Sequence, residues 1–294
     1  MPEFYIRDVA KIAEKVDCDE KRDEQLSVDT YTGVLLRDLL YDAGMEHRFK
    51  WEPGVYIVVH GTDGERSVFS FGEIFYSSIG RSVLVAHKKN NRSIRFKEGT
   101  GKLMVSTDIR SGRWIPEISE IEVRRVGVEM KVYDDQKQDR IRPMAELLTL
   151  KSNDCGSAYQ FRREDLEQFP TLSIASAVMT GDCEGFGGVY DFEGPPLREL
   201  LDITGIEACS PAYDRFVLVE STDGFCATFS FGEIYNSRLS NNIAIAIKKD
   251  GEPLDESEGF ARSVVGEDST GGRAVRRVST ITLFTAGSSG TLTQ

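Results

Sequence analysis

A chain of 294 residues, 40% hydrophobic and 10% aromatic, is long enough for about two domains and apolar enough to bury a core in each. Its formal net charge of −12 argues against general nucleic-acid binding and against an anionic membrane surface, since both need cations. Its five cysteines include no Cys-x-x-Cys pair, which speaks against a structural zinc site or a disulfide framework and leaves buried free thiols as the plain reading.

No apolar run approaches the ~20 residues that cross a bilayer, so membrane insertion is not expected. Met1-Pro2-Glu3-Phe4 leads straight into polar sequence without a signal-peptide pattern, and the expectation is a soluble, cytoplasmic protein. Apolar residues at Ile6, Val9, Ile12, Ala13 and Val16 have helical spacing and predict a helix within residues 4–16. The charged run from Asp17 to Gln25 then reads as an exposed loop. Leu36, Leu39, Leu40 and Ala43 line one face of a short helix, with Gly44 at its left-handed end. Val55 to Val59 is a β-branched run that turns at Asp63-Gly64, a hairpin signal, and returns through Phe69 and Phe71. Ser70 and Glu73 have capping-box spacing, which gives that glutamate a structural rather than a catalytic job. Val83 to Ala86 and Ile118 to Val123 read as further strands.

The same series then repeats. Asp63-Gly64, Ser70, Phe71-Gly72-Glu73-Ile74, Lys88-Lys89, Asp108, Gly112-Arg113 and Ile121 recur 160 residues later, as Asp223-Gly224, Ser230, Phe231-Gly232-Glu233-Ile234, Lys248-Lys249, Asp268, Gly272-Arg273 and Ile281. Upstream the offset is 161, and Gly33, Leu36, Leu39-Leu40 and Gly44 return as Gly194, Leu197, Leu200-Leu201 and Gly205. A period this long is a domain-scale duplication rather than a solenoid repeat. The expectation is an α+β protein with mixed or mainly antiparallel sheets and short helices. It has two similar domains, residues 1–128 and 142–294, joined by a linker over 129–141.

Some lookalikes fail on spacing. Gly99-Thr100-Gly101-Lys102 lacks the P-loop's earlier glycine and its following hydroxyl, since position 96 is Phe and position 103 is Leu. Gly185-x-Gly187-Gly188 opens no clear helix. The paired lysines at 88–89 and 248–249 end strands, where cations discourage edge pairing. No Ser/His/Asp or Cys/His nucleophile set assembles within either half.

The second half carries a recognisable order of motifs. Asp165-Leu166-Glu167-Gln168-Phe169-Pro170 precedes Cys183, then Gly194-x-x-Leu197-x-x-Leu200-Leu201, then Ser221-x-Asp223-Gly224-Phe225. Gly251-x-Pro253-Leu254, Gly259 and Gly271-Gly272-Arg273-Ala274-Val275-Arg276-Arg277-Val278 complete it. This order resembles the oxidoreductase molybdopterin-binding domain of the sulfite oxidase family, and the first half shares only the duplicated motifs. The resemblance implies a mixed α+β fold and a molybdopterin cofactor, its metal held by one cysteine thiolate before the Gly-x-x-Leu helix. Cys183 is the candidate metal ligand, and Arg262, Arg273, Arg276 and Arg277 are the candidates for the pterin phosphate. The first half has Arg22 at the corresponding spacing, which cannot replace a thiolate.

Two departures weigh on the functional expectation. No N-terminal segment matches the family's cofactor-contacting arginine, asparagine and histidine, and the three histidines (His47, His60, His87) all lie in the first half. The expected function is therefore a non-catalytic binding or assembly module that has lost the cofactor site. The alternative is a molybdopterin-dependent oxidoreductase with molybdenum on Cys183. The first half is expected to be a structural or interaction module without its own cofactor, and a protein partner or self-association is the corresponding expectation.

Overall fold

The computed structural model describes residues 9–13, 28–45, 54–127, 145–153, 156–181, 185–203, 205, 213–238 and 242–287. Cys18, Cys155, Cys183, Cys209, Arg22 and the 129–141 linker lie outside the described residues.

In the first half, β1 (Val9–Ala13) pairs antiparallel with β2 (Val28–Leu35), which also pairs with β5 (Val83–Lys89). The helix expected over residues 4–16 is thus corrected at Val9–Ala13, which is strand. The edge of β2 supplies this five-residue piece with a ladder of backbone partners, from Val9↔Thr32 to Ala13↔Val28, which outweighs a short apolar periodicity. β5 continues the sheet to β6 (Arg92–Ser93) and β7 (Lys102–Val105). The short helix α1 (Leu36–Leu40) buries Leu36 and Leu40, and a π-turn follows to Met45, with Gly44 in the left-handed region at φ 87°. Ala43 is exposed, so the apolar face ends before it. A second sheet holds β3 (Val55–Gly61) between β4 (Arg66–Ser70) and β8 (Ile118–Arg125). The helix α2 (Phe71–Phe75) leaves β4 directly.

In the second half, β9 (Leu148–Ser152) and β10 (Ala158–Phe161) lead to α3 (Arg163–Leu166). The long hairpin of β11 (Leu172–Gly181) and β12 (Gly185–Gly194) runs into α4 (Leu197–Asp202). Next come β13 (Arg215–Ser221), β14 (Cys226–Ser230) and α5 (Phe231–Tyr235). The chain continues through β15 (Ile243–Ala246), β16 (Lys248–Lys249), β17 (Glu252–Pro253) and β18 (Arg262–Val265) to β19 (Val278–Thr285). β9 runs parallel to β19, the one parallel pairing among the described residues. The class is α+β with mostly antiparallel sheets and few short helices.

Registers repeat between the halves. β3–β4 pairs Tyr56 with Ser70 and Ile57 with Phe69, while β13–β14 pairs Phe216 with Ser230 and Val217 with Phe229. β5–β7 and β15–β18 match in the same way, from Val83↔Val105 and Ile243↔Val265 onward. β3–β8 breaks register at His60/Gly61 and β13–β19 at Glu220/Ser221, the same point along each ladder.

Each half buries its own core, around Ile57, Phe69 and Leu103 in one and Val217, Phe229 and Leu200 in the other. A third cluster belongs to both. Tyr56, Val58, Val68 and Val126 pack on Phe216, Leu218, Cys226 and Ala286, with the Tyr56 and Phe216 rings stacked at 4.2 Å. Each such buried ring contributes roughly 2–3 kcal/mol through the area it removes from water. Backbone hydrogen bonds cross the same boundary, from Val68 N–H to the Tyr213 carbonyl (2.8 Å) and from Ile109 N–H to that of Asn236 (2.7 Å). The two halves therefore share a core.

Glycine permits the closest of these approaches. A Cβ on Gly72 would lie 2.1 Å from Cδ of Arg273, and one on Gly232 would lie 2.2 Å from Cδ of Arg113. Each contact joins one half to the other. Gly232→Ala should lower unfolding stability by roughly 3 kcal/mol or more, because the methyl must displace a fully buried guanidinium from its carboxylates. Equilibrium denaturation reads this, and a loss under about 1 kcal/mol would mean the boundary is softer than described.

Candidate functional site

Ser70 and Ser230 close strands β4 and β14 and cap the helices that follow, each hydroxyl accepting the N–H of its own glutamate, Glu73 or Glu233, at 3.0 Å. In the second half the box is complete, with Ser230 N–H donating to Glu233 Oε1 at 2.8 Å. Each serine hydroxyl then donates across the boundary: Ser70 to Glu233 Oε1 and Ser230 to Glu73 Oε2, both at 2.6 Å.

Two arginines complete the arrangement. Arg113 donates to Glu73 Oε1 (2.5 Å) and, through Nε and Nη2, to both oxygens of Asp108 (2.8 and 2.5 Å). Arg273 does the same with Glu233 (2.6 Å) and Asp268 (2.8 and 2.6 Å), and its Nη1 also reaches Ser70 Oγ at 3.3 Å. Each guanidinium lies over a core phenylalanine, Arg113 over Phe69 at 5.0 Å and Arg273 over Phe229 at 4.9 Å. The side chains of both arginines and all four carboxylates are no more than 4% exposed.

Four carboxylates thus face two guanidiniums in a dry boundary, a formal excess of two negative charges if all are ionised. Burial, with Glu233 close by, overrides the attraction of Arg113 and raises the Glu73 carboxyl from 4.5 to about 7. Burial also raises Asp268, against the opposing pull of Arg273. Sequence spacing accounted for the cap but missed this crossing, because the bonds run between positions 157 and 163 apart. The recurrence of Asp108, Gly112-Arg113 and their counterparts was the available signal.

A second charged group stands at the foot of the β11–β12 hairpin. Glu258, nearly buried, meets Arg262 Nη1 at 2.5 Å, Arg276 Nε at 3.5 Å and Lys249 Nζ at 3.7 Å. Arg262 is sealed at 4% exposure, its guanidinium over the Phe192 ring at 5.1 Å and its Nη2 at 3.1 Å from the Met179 sulfur. Its Nε is buried without a hydrogen-bond partner, and burial pulls its pKa down. Lys249 lies over the Tyr190 ring at 3.7 Å.

Of the four candidate arginines, Arg273 lies apart from the other three, which gather about Glu258. Arg273 sits in the boundary with all three of its nitrogens engaged, and Arg262 and Arg276 share Glu258. Arg277 has its backbone at φ 52°, with its N–H donated to the Glu258 carbonyl at 2.7 Å. Cys183 lies outside the described residues, between β11 and β12. Cys226, the described free cysteine, is buried in the shared core, and burial pushes its thiol up to about 12. No group of three or more His, Cys, Asp or Glu among the described residues is placed to hold a metal ion. No described helix is long and apolar enough to cross a membrane. A pterin phosphate needs several cations or N–H groups converging on one point. Around Glu258 the candidates offer one open but sealed donor on Arg262 and one half-exposed guanidinium on Arg276, with Lys249 drawn to the same carboxylate, and that set does not fit the group.

A family model described as the oxidoreductase molybdopterin binding domain matches residues 144–292. No curated protein matches the chain. Among solved structures the chain is similar to the sulfane dehydrogenase SoxCD from Paracoccus pantotrophus, at 15% identity and a TM-score of 0.33. That alignment covers 65% of this chain and 49% of the other, so the chain spans about half of that neighbour's length.

The raised Glu73 gives the boundary a pH signature. A carboxyl that titrates higher folded than unfolded keeps a proton the unfolded chain has released. Its contribution to stability is therefore full below about pH 4.5 and is lost as pH rises to about 7. In thermal denaturation, wild type should lose stability over that window more steeply than Glu73→Gln, which cannot titrate. Parallel slopes for the two proteins would contradict it.

Proposed function

The chain belongs to the oxidoreductase molybdopterin binding domain family, and we propose that it is a non-catalytic binding or assembly member, built as a tandem duplication, that has given up the cofactor site. One observation carries the reading. Arg273, which the resemblance sets aside for the pterin phosphate, makes the same contacts in the second half that Arg113 makes in the first. The first half has no cysteine at the ligand position, so the shared contacts support an architectural role for both arginines. The matching registers of β3–β4–β8 and β13–β14–β19 support the duplication, with domains at 1–128 and 142–294 and a linker at 129–141.

The alternative, a molybdopterin-dependent oxidoreductase with molybdenum on Cys183, rests on a different observation. Arg262, its Nε unpaired, holds Nη2 against the sulfur of Met179, four residues before that cysteine, and Arg276 stands beside it. When bound, such a cofactor would supply two-electron redox chemistry at the metal, and its thiolate ligand would have to be Cys183.

Elemental analysis separates the two. Protein purified from a molybdate-fed, cofactor-competent host should carry no molybdenum, and Cys183→Ser should leave its stability and metal content unchanged. Near-stoichiometric metal that disappears in Cys183→Ser would overturn the non-catalytic reading.

A further inference from the structure

One stretch of the molecule has a charge that neither the fold nor the reading above explains. Residues 87–97 carry Lys88, Lys89, Arg92, Arg95 and Lys97 and no acidic residue, a formal charge of +5 with His87 neutral, in a chain of net −12. They form the hairpin of β5 and β6, paired Lys88↔Ser93 and Lys89↔Arg92. The counterpart hairpin in the second half has the same register, Lys248↔Pro253 and Lys249↔Glu252. Its turn also has the same shape, with Asp250 and Gly251 at φ 51° and 82° where Asn90 and Asn91 are at 51° and 62°. Yet residues 247–257 set Asp250, Glu252, Asp255 and Glu256 against Lys248 and Lys249, a formal charge of −2. One scaffold holds both charge patterns, so the fold does not require the cations.

The basic hairpin is held rigid from both ends. At the turn, Asn90 donates to Asp29 (2.7 Å), accepts from Thr30 N–H (2.8 Å) and donates its own N–H to the Thr30 carbonyl (2.7 Å). At the far end, the carboxylate of Glu117 accepts the N–H groups of Lys97, Glu98 and Gly99, at 3.0 to 3.3 Å. Lys89 is pinned between Asp29 (2.6 Å) and the Tyr31 ring (5.5 Å). By contrast, Lys88, Arg92 and Arg95 are exposed and form no ion pair among the described residues, while Lys97 is exposed beside Glu117. A cleft of about 610 Å³ opens here, lined by Lys89, Asn90, Arg92, Ser93 and Ile94. That volume suits a small molecule. The lining offers the Arg92 guanidinium and the Ser93 hydroxyl, with the Lys89 ammonium and the Asn90 amide shared with Asp29, as donors for phosphoryl oxygens beside one apolar wall.

We propose that this hairpin is a binding site for a small, multiply charged oxyanion of the polyphosphate or phosphorylated-metabolite class. The site belongs to the first half and holds whether or not Cys183 binds a metal. Its field is local: cations concentrated on a short turn draw an anion in against a protein of opposite overall sign.

Isothermal titration of the intact chain with inorganic tripolyphosphate at low salt tests it. Wild type should bind, and raising the salt should weaken binding. The double change Arg92→Glu with Arg95→Asp, which installs the residues found 160 positions later, should cost at least about tenfold in affinity. Lys248→Glu in the counterpart hairpin should leave binding unchanged, as should Cys183→Ser, so this site and the metal-site reading fail separately. If the double variant does not fold, Arg92→Gln, a neutral change at an exposed position, should weaken binding in the same direction. Wild type that binds no tripolyphosphate, or a double variant that binds as well as wild type, would refute the site. A single-stranded oligonucleotide that binds the hairpin more tightly than tripolyphosphate would refute the small-ligand assignment.

Discussion

Two guanidiniums and four carboxylates, all removed from water, set the terms on which the two halves of this molecule meet. A buried ion pair is a poor source of net stability, because stripping water from each charge costs several kcal/mol before any attraction is gained. What it provides is specificity. Ser70 and Ser230 each cap their own helix and donate to the other half's glutamate, so both caps and both crossings must form together. Shifting one half by a single residue would strand charges in an apolar boundary, whereas a purely apolar face such as Tyr56 on Phe216 could slide. The apolar layer supplies the driving force and the charged layer fixes the arrangement.

That division also accounts for what happened to the arginines. A glycine-arginine pair after an aspartate reads equally well as a phosphate-binding segment or as a structural clamp, since both uses need a guanidinium near the chain turn. In this fold Arg113 and Arg273 point inward over Phe69 and Phe229, toward Asp108 and Asp268. An arginine in that position cannot also serve a ligand without leaving two carboxylates buried and unpaired. Any ligand chemistry of the second half must therefore come from other side chains, and the Glu258 group is one set of cations there.

Much of the architecture was legible in the sequence because local signals and tertiary structure agree there. Asp63-Gly64 and Asp223-Gly224 turn as their residue types require, with both glycines near φ +88°. Leu197, Leu200 and Leu201 bury together as their spacing implies. Val9–Ala13 was misread because its partner, β2, lies beyond a long charged stretch, and periodicity over so few residues cannot detect a distant edge. The site was less legible. Serine-glutamate capping is a local pattern complete in itself, and nothing in it announces that the hydroxyl has a second partner some 160 residues away. Recurrence carried that information, but leucines and glycines recurred as well, and recurrence alone does not separate a clamp from a core.

Where the halves differ is then more informative about function than where they agree. Positions that hold the same residue in both halves, such as Ser70 and Ser230, Glu73 and Glu233, or Arg113 and Arg273, serve the meeting of the halves and are constrained by it. Positions with the same backbone but opposite charge are free of that constraint. The β5–β6 and β16–β17 hairpins share register and turn shape, yet one is strongly cationic and the other acidic. Like charges crowded on a short exposed turn repel one another, and a fold gains nothing from holding them together. Their presence on one half and absence from the other places their purpose outside the fold, in something the molecule meets.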